Sequence, residues 1–369
     1  MDINSIPARL GAALLGLGLL LPLAGCYELQ AIAGQVSLLS KRKPIASVIA
    51  DPATPQTLRT QLQAVSRIRD FASRELKLPD NGSYRGYADI GRSNVVWNVF
   101  AAPEFSVTPR RWCYPVIGCA AYRGYFAERK AQKFARSLQA QGDDVAVKGA
   151  AAYSTLGHFD DPVLNTMVVW SDVHLAAILF HELTHQLLYV RDDASFNEAL
   201  ATLIEEEGVR RWLLAQGRET DLAAFNDSQA RYALVIGILL DTRQGLEKLY
   251  ASGADPATMR GKKAAQIDQL RHRYQQLKAS WSEPTGYDAW FDGALNNADL
   301  VSIATYQACL PGLKRELASL NGELPAFFRR AGELAKMPAT RREALVCRDA
   351  PQFEWVANRG NDSGMSARK

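Results

Sequence analysis

The stretch His181-Glu182-Leu183-Thr184-His185 lies in a segment that is apolar on nearly every side of a helix. This pattern predicts a buried helix over residues 172–190. Positions four apart share one helix face, so both imidazoles can reach a single zinc ion. Glu182 is rotated off that face and is better placed to take a proton from a metal-bound water than to bind the metal. The competing interpretation is a buried polar cluster satisfied by hydrogen bonds alone.

A hydrolytic zinc site needs a third protein ligand and one open position. We predict Glu198 as that ligand, near the start of a second helix over 195–213 that runs antiparallel to the first. Ser195-x-x-Glu198 also matches a capping box, which would use the same carboxylate to begin the helix. Asp192 and Asp193 are the alternative ligands.

Two polar residues follow Glu198 on the same face of the predicted helix. Thr202 and Glu205 lie four and seven positions farther along, where either could orient a ligating histidine through its outer nitrogen. Glu205 could instead bind the α-ammonium group of a substrate, or belong to a solvated acidic turn.

Composition narrows the class of protein. The chain has 369 residues, of which 47% are hydrophobic, so it contains enough apolar side chain for a sizeable core. The net charge is only +4 and no dense basic run occurs, so we predict no nucleic-acid partner. No protein partner is inferred from the sequence.

The N-terminal segment points to export. An uncharged run, Leu10 to Gly25, has the length of a secretory signal core. It ends in Leu23-Ala24-Gly25-Cys26, which resembles a bacterial lipobox. We therefore expect a signal peptide over 1–25 and a lipid anchor at Cys26 on the periplasmic side of a bacterial membrane. Tyr27, in place of the Asp that retains such proteins in the inner membrane, favours the outer membrane. The alternative is an uncleaved anchor followed by an incidental cysteine.

Export also changes the interpretation of the remaining cysteines, whose number is even. Cys113 and Cys119 flank the turn-forming residues Tyr114 to Gly118, so their thiols can meet, and Cys309 and Cys347 would then pair. A zinc site at Cys113 and Cys119 is disfavoured because no second ligand pair lies nearby. We predict two structural disulfides.

Hydrophobic periodicity predicts an α+β fold, with a small α/β lobe followed by a predominantly helical lobe. The predicted divisions are a signal peptide over 1–25, a membrane-proximal tether over 26–50, the α/β lobe over 51–170, the helical lobe with the zinc site over 171–350 and a mobile tail over 351–369. Strands are predicted over 93–101, 144–148 and 151–156. Helices are predicted over 58–76, 127–141, 172–190, 195–213, 221–250, 257–281, 294–308, 312–335 and 338–348.

Taken together, His-Glu-Leu-Thr-His-Gln and the following Phe196-Asn-Glu-x-x-Ala201 resemble the gluzincin metallopeptidases. More narrowly, the chain is similar to a bacterial family of predicted lipoprotein aminopeptidases, from Cys26 to about residue 340. Further blocks carry this resemblance: Gly82–Ala88, Trp97–Phe100, Ala102–Phe105, Tyr122–Phe126, Ala152–Gly157, Phe159–Pro162 and Asn296–Ala298.

The resemblance implies a zincin-like fold, one zinc ion, a glutamate base and hydrolysis from the peptide N-terminus. It assigns His181, His185 and Glu198 as ligands and Glu182 as the base. One departure stands out, because gluzincins of the thermolysin kind carry Asp four residues after the third ligand, where this chain has Thr202. The residue that orients the histidines therefore stays open.

The sequence also offers candidate residues for the substrate cleft, the oxyanion donor and the amine anchor. In gluzincins the strand before the metal helix binds the substrate backbone, which makes Tyr153 or Ser154 a candidate to line the cleft. Tyr306 is the candidate donor to the oxyanion. Glu104 and Glu205 are candidate anchors for a substrate's free amine.

The leading functional prediction is a lipid-anchored zinc aminopeptidase that acts on periplasmic peptides through a metal-activated water, with Glu182 as general base. The first alternative is a zinc endopeptidase that cleaves cell-envelope proteins. A different class is a lipoprotein binding or assembly factor with a structural metal. The presence of Glu182 argues against that class, because a structural site needs no general base.

Overall fold

The computed structural model describes residues 25–114, 118–281, 286–301 and 309–347. Helices form most of this part of the chain. In chain order they are α1 Gly25–Ser40, α2 Ile45–Ala50, α3 Gln56–Arg74, α4 Glu128–Gln139, α5 Asp172–Leu187, α6 Ala194–Leu214, α7 Glu219–Tyr250, α8 Pro256–Lys278, α9 Asp288–Phe291, α10 Asn297–Val301, α11 Leu310–Ser319, α12 Leu324–Ala335 and α13 Ala339–Val346.

The strands form small sheets. They are β1 Lys43–Pro44, β2 Gly86–Ala88, β3 Val96–Pro103, β4 Trp112–Tyr114, β5 Gly118–Ala120, β6 Tyr122–Tyr125, β7 Asp143–Ala150 and β8 Val163–Leu164. One sheet has the order β1-β2-β8, a second has the antiparallel order β6-β3-β7, and β4 pairs with β5. This mixture of many helices with small sheets is compatible with the predicted α+β class.

The predicted helix over 312–335 is wrong as a single element. It is divided into α11 and α12 because Asn321 and Gly322 adopt left-handed backbone angles, with φ of 54° and 75°. Gly322 N–H donates to Leu317 O over 3.0 Å, which closes the end of α11. Of the helix predicted over 294–308, the described part contains only α10, and residues 302–308 lie outside the described residues.

The predicted strand over 151–156 is also wrong. The ladder of β7 with β3 ends at Ala150, and residues 151–156 are neither helix nor strand. Asp161 accepts hydrogen bonds from the backbone N–H of Thr155 (2.9 Å) and from its hydroxyl (2.9 Å). These bonds hold the segment in a folded loop, because a side-chain acceptor replaces a neighbouring strand.

The largest core lies between α3, α5 and α6. Ile68, Phe180 and Ile204 are fully buried in it. The core therefore contains residues from both sides of the lobe boundary predicted at residue 170. A Cβ atom at Gly208 would lie 2.6 Å from Cδ2 of Phe180. Only glycine therefore permits this approach of α6 to α5. The close packing brings the two helices that carry the predicted metal ligands together.

Helix α6 begins at a buried ion pair. The Asp193 carboxylate accepts a hydrogen bond from Phe196 N–H (3.1 Å) and is the N-cap of the helix. Arg342, from α13, binds the same carboxylate through Nε (2.8 Å) and Nη2. The Arg342 side chain is 3% exposed and that of Asp193 is 11% exposed, so this pair is almost fully removed from water.

The segment before the first sheet packs against the body of the protein. Tyr27 OH donates to Gly124 O on β6 over 2.9 Å, and Leu38 and Ile45 belong to the largest core. Residues 26–50, which were expected to form a tether, therefore contact both β6 and the core. Over the described residues, no helix has both the length and the apolar content that crossing a bilayer requires.

We predict that Arg342→Met destabilises the protein by about 3–5 kcal/mol, because the Asp193 carboxylate would remain buried without its partner. Urea unfolding measures the change in the free energy of unfolding. The neighbouring Arg341 is exposed, so Arg341→Met is the matched control and should change stability by less than about 0.5 kcal/mol. Equal stabilities of the two variants would contradict the proposed role of the ion pair.

Candidate metal centre

The turn between α5 and α6 is held by one side chain. The buried Asn197 amide accepts from Val190 N–H (2.8 Å) and donates to Val190 O (2.7 Å). With Asp193 as the N-cap, the predicted capping box at Ser195 and Glu198 does not form the start of the helix. The Glu198 carboxylate is therefore free to turn towards α5.

Three side chains converge where the two helices meet. The Nε2 atoms of His181 and His185 lie 3.2 Å apart. Oε2 of Glu198 lies 3.3 Å from Nε2 of His181 and 3.7 Å from Nε2 of His185. Zinc bonds of about 2.0–2.1 Å in a tetrahedral arrangement would place ligand atoms about 3.3–3.4 Å from one another. The three atoms thus have the spacing that a single zinc ion requires.

The chemistry of these atoms also fits a cation. Nδ1 of His181 lies 3.0 Å from Oε2 of Glu205, an arrangement in which the ring nitrogen donates to the carboxylate. In the neutral ring, Nε2 of His181 then carries a lone pair that faces both His185 and the Glu198 carboxylate. Such converging acceptors repel one another unless a proton or a metal ion lies between them.

The titration of the cluster follows from the same contacts. Burial by itself lowers the pKa of His181, but hydrogen bonds to Glu198 and Glu205 raise it to about 10. Burial raises the pKa of Glu198, and the hydrogen bonds with both histidines outweigh it and lower the pKa to about 2. Without metal, His181 therefore holds a proton at neutral pH, and a metal ion would displace that proton.

Glu205 takes the orienting role that the sequence left open between two residues. It contacts His181, whereas Thr202 forms no hydrogen bond with either histidine in the described structure. The contact uses Oε2 of Glu205, so Oε1 can still accept a hydrogen bond from a substrate amine. Glu104 is occupied, because its carboxylate accepts hydrogen bonds of 2.6 and 2.9 Å from Arg260.

The alternative ligands are used elsewhere. Asp193 caps α6 and pairs with Arg342, and Asp192 accepts a hydrogen bond from Cys119 N–H over 2.8 Å. Tyr306, the predicted oxyanion donor, lies outside the described residues. The loop residue Ser154 donates to Asp161 over 3.4 Å.

Glu182 is half-buried, and its charge is close enough to His181, Asp161 and Tyr84 to raise their pKa values. Burial, with a smaller contribution from the negative charge of Glu182, raises the pKa of Asp161 to about 6, although hydrogen bonds from Thr155 and Ser154 oppose the rise. Burial also raises the pKa of Tyr84 well above its ordinary value, again with a contribution from Glu182. These residues come from the loops 82–85 and 151–161, which therefore meet beside the predicted base.

Tyr122 is the residue near the metal cluster that sequence reasoning missed. It begins β6, at the edge of the sheet. Burial of its hydroxyl and the charges of Glu198 and Glu182 raise its pKa, so the phenol stays protonated. The Tyr122–Phe126 block was part of the family resemblance. Its distance in sequence from the histidine motif on α5 follows no pattern that would indicate contact between the two. Only the tertiary structure, in which the charges of Glu198 and Glu182 act on Tyr122, reveals the proximity.

Both predicted disulfides are present. Cys113 is bonded to Cys119 across the β4–β5 pair, and Cys309 is bonded to Cys347 between the start of α11 and the end of α13. The first disulfide also lies next to the turn between the metal helices, through the hydrogen bond from Cys119 to Asp192.

Comparison with known proteins adds one finding. The family described as "Putative aminopeptidase" matches residues 26–346 of this chain. No match was found among curated proteins or among solved structures. The matched range covers far more than half of the sequence and includes both helices of the candidate metal centre, and the chain therefore belongs to the putative aminopeptidase family.

Proposed function

We propose that this protein is a zinc-dependent aminopeptidase of the gluzincin type that removes N-terminal residues from periplasmic peptides. Family membership supports peptidase activity. The observation that carries the zinc-dependent mechanism is the convergence of one ligand atom each from His181, His185 and Glu198, with separations of 3.2, 3.3 and 3.7 Å.

A zinc ion in this position would supply a Lewis acid that acidifies water and polarises the scissile carbonyl. His181, His185 and Glu198 would hold it, and Glu205 would fix the ring of His181. Glu182 would accept the proton of the attacking water and pass it to the leaving amine. Its half-buried position beside Tyr84 and Asp161 supports this role, since a carboxylate shielded from bulk water exchanges protons with the reacting groups.

We propose Tyr122 in place of Tyr306 as the donor to the carbonyl oxygen. Negative charge develops on that oxygen during attack, and a protonated phenol can stabilise it through a hydrogen bond. Tyr122 meets the requirement because its raised pKa keeps the proton in place.

We further propose that the protein is held by acyl chains at Cys26 on the periplasmic side of a bacterial membrane, and most specifically the outer membrane. The support is the lipobox-like Leu23–Cys26 sequence, followed by Tyr27. The disulfides Cys113–Cys119 and Cys309–Cys347 agree with an oxidising compartment.

The base and the third ligand are tested by a matched pair of variants. Glu182→Gln should keep one zinc ion per chain but lower kcat by about 10²–10⁴-fold, because proton transfer is lost while the ligands remain. Glu198→Ala should lose the metal, because only two protein ligands remain. Metal analysis and hydrolysis of a fluorogenic aminoacyl substrate measure both properties. Full activity of Glu182→Gln would refute the mechanism.

The oxyanion donor is tested by Tyr122→Phe, which removes only the hydroxyl. We expect kcat to fall by about 100-fold, with little change in KM and with zinc content retained, because the lost hydrogen bond forms mainly in the transition state. A variant with unchanged kcat and normal zinc content would exclude Tyr122 from this role.

Exopeptidase action is tested with one peptide in two forms. A peptide with a free N-terminus should be cleaved at least about 100-fold faster than its N-acetylated form. The acetylated form lacks the ammonium group, so the polar groups of the site that would bind it remain without a partner. Cleavage is followed by mass spectrometry of the products. Rapid internal cleavage of the acetylated peptide would identify a zinc endopeptidase instead.

A further inference from the structure

Helix α1 buries Leu38 in the core near its C-terminal end, but along the rest of its length it exposes aliphatic residues and buries amides. Leu29, Ile32 and Val36 are 65%, 60% and 60% exposed, while the amide side chains of Gln30 and Gln35 are only 8% and 9% exposed. A helix that packs on a soluble protein normally buries its aliphatic residues and exposes its amides. The outward face of α1 is therefore suited to a non-aqueous neighbour.

The three exposed aliphatic residues form a continuous stripe. At about 100° per residue, positions 29, 32 and 36 fall within about 60° of one another around the helix axis. Ala33, also exposed, lies on the same face. We call these four residues the α1 stripe. From Leu29 to Ser40 the helix contains no charged residue, so its burial in an apolar layer would not desolvate a charge.

Contacts on the opposite face fix the orientation of the stripe. The Gln30 side chain accepts from Phe126 N–H (3.2 Å) and donates to Gly124 O (3.4 Å). The Arg123 guanidinium stacks on the Tyr27 ring, 3.9 Å from its centre. Rotating α1 to bury the stripe would break these contacts with β6, so the stripe stays on the outside.

We propose that the α1 stripe is a membrane-binding surface that inserts into the interfacial layer of a lipid bilayer. A bilayer is the neighbour that best fits the α1 stripe. The uncharged segment Leu10–Gly25 ends where α1 begins, and the lipobox-like Cys26 lies in the first turn of the helix. Acyl chains on Cys26 would place Leu29, less than one turn away, at the lipid surface. The anchor itself belongs to the proposed function, whereas the stripe is a feature of the folded chain.

Charge at the other end of α1 supports the same occupant. Lys41, Arg42 and Lys43 follow its last residue, and both lysines are exposed. Basic residues next to an apolar helix face bind anionic lipid headgroups. The helix would therefore lie in the plane of the membrane, with lipid contacts along its length, and would hold the peptidase in one orientation instead of on a free tether.

The occupant is identified by photo-crosslinking in the full chain. A benzophenone amino acid is placed at Ile32, and at Leu345 as a control of similar character that is 45% exposed on α13. The protein is made in cells that acylate lipoproteins and reconstituted in vesicles of phosphatidylethanolamine and phosphatidylglycerol. We expect phospholipid adducts at position 32 and not at 345. Adducts with a second copy, another protein or residues 1–24 of this chain would overturn the proposal, as would the absence of lipid adducts at position 32.

The contribution of the stripe is measured by transfer between vesicles. The variant Leu29→Gln/Ile32→Gln/Val36→Gln replaces the three aliphatic side chains that would be buried in the bilayer with amides. It should speed transfer of the acylated protein between vesicles by more than about tenfold. The matched control, Leu214→Gln/Leu234→Gln/Leu345→Gln, alters three other exposed leucines and should transfer at the wild-type rate. Equal rates for the two triple variants would overturn the proposal.

Two readouts separate this proposal from the proposed function. Hydrolysis of a soluble peptide should be unchanged in both triple variants, since neither touches the metal centre. Mass spectrometry of the N-terminal peptide shows whether Cys26 is acylated. A protein without peptidase activity, or without acyl chains, would contradict the proposed function, while lipid adducts at position 32 would still establish the membrane surface.

Discussion

The site depends on one electrostatic constraint: two imidazole nitrogens and a carboxylate oxygen lie within 3.2–3.7 Å of one another in a largely buried position. Atoms that all offer lone pairs cannot remain this close unless a positive charge lies between them. The scaffold holds them there through the close approach of α5 and α6 at Gly208, the Asn197 contact across the turn and the Asp193–Arg342 ion pair. These contacts are largely buried and do not depend on a metal ion.

One carboxylate of the candidate metal centre differs in position from the pattern expected of gluzincins of the thermolysin kind. Thr202 stands where that group carries Asp, and Glu205, one turn farther along α6, reaches Nδ1 of His181. The longer glutamate side chain compensates for its greater distance along the helix. The proposed base and the proposed oxyanion donor come from different elements, since Glu182 belongs to α5 and Tyr122 to the edge of the β6-β3-β7 sheet. In this proposal the sheet adds one residue to a site otherwise built by helices.

Strand β6 links the metal centre to the N-terminal helix. Its first residue, Tyr122, lies in the electrostatic field of Glu198, and its backbone at Gly124 accepts hydrogen bonds from Tyr27 and Gln30 of α1. These amide and phenol contacts explain why the polar face of α1 points inward, since they satisfy backbone groups at a sheet edge that would otherwise be unpaired. The aliphatic stripe on the outside is the direct consequence. The same short strand therefore contacts the helix that carries the proposed membrane surface and contributes the proposed oxyanion donor.

Local sequence predicted the two helices, placed the histidine pair on one helix face and indicated Glu182 as the proposed base, because helical periodicity and i, i+4 spacing place residues without reference to the rest of the chain. It also indicated Glu198 and both cysteine pairs. Tertiary structure alone decided that Asp193 caps α6 and thereby frees Glu198, that Glu205 binds His181 where Thr202 does not, and that Tyr122 lies near the cluster. It also turned the expected strand over 151–156 into a loop, through Asp161. Each of these outcomes depends on contacts between segments distant in sequence, which no local pattern encodes.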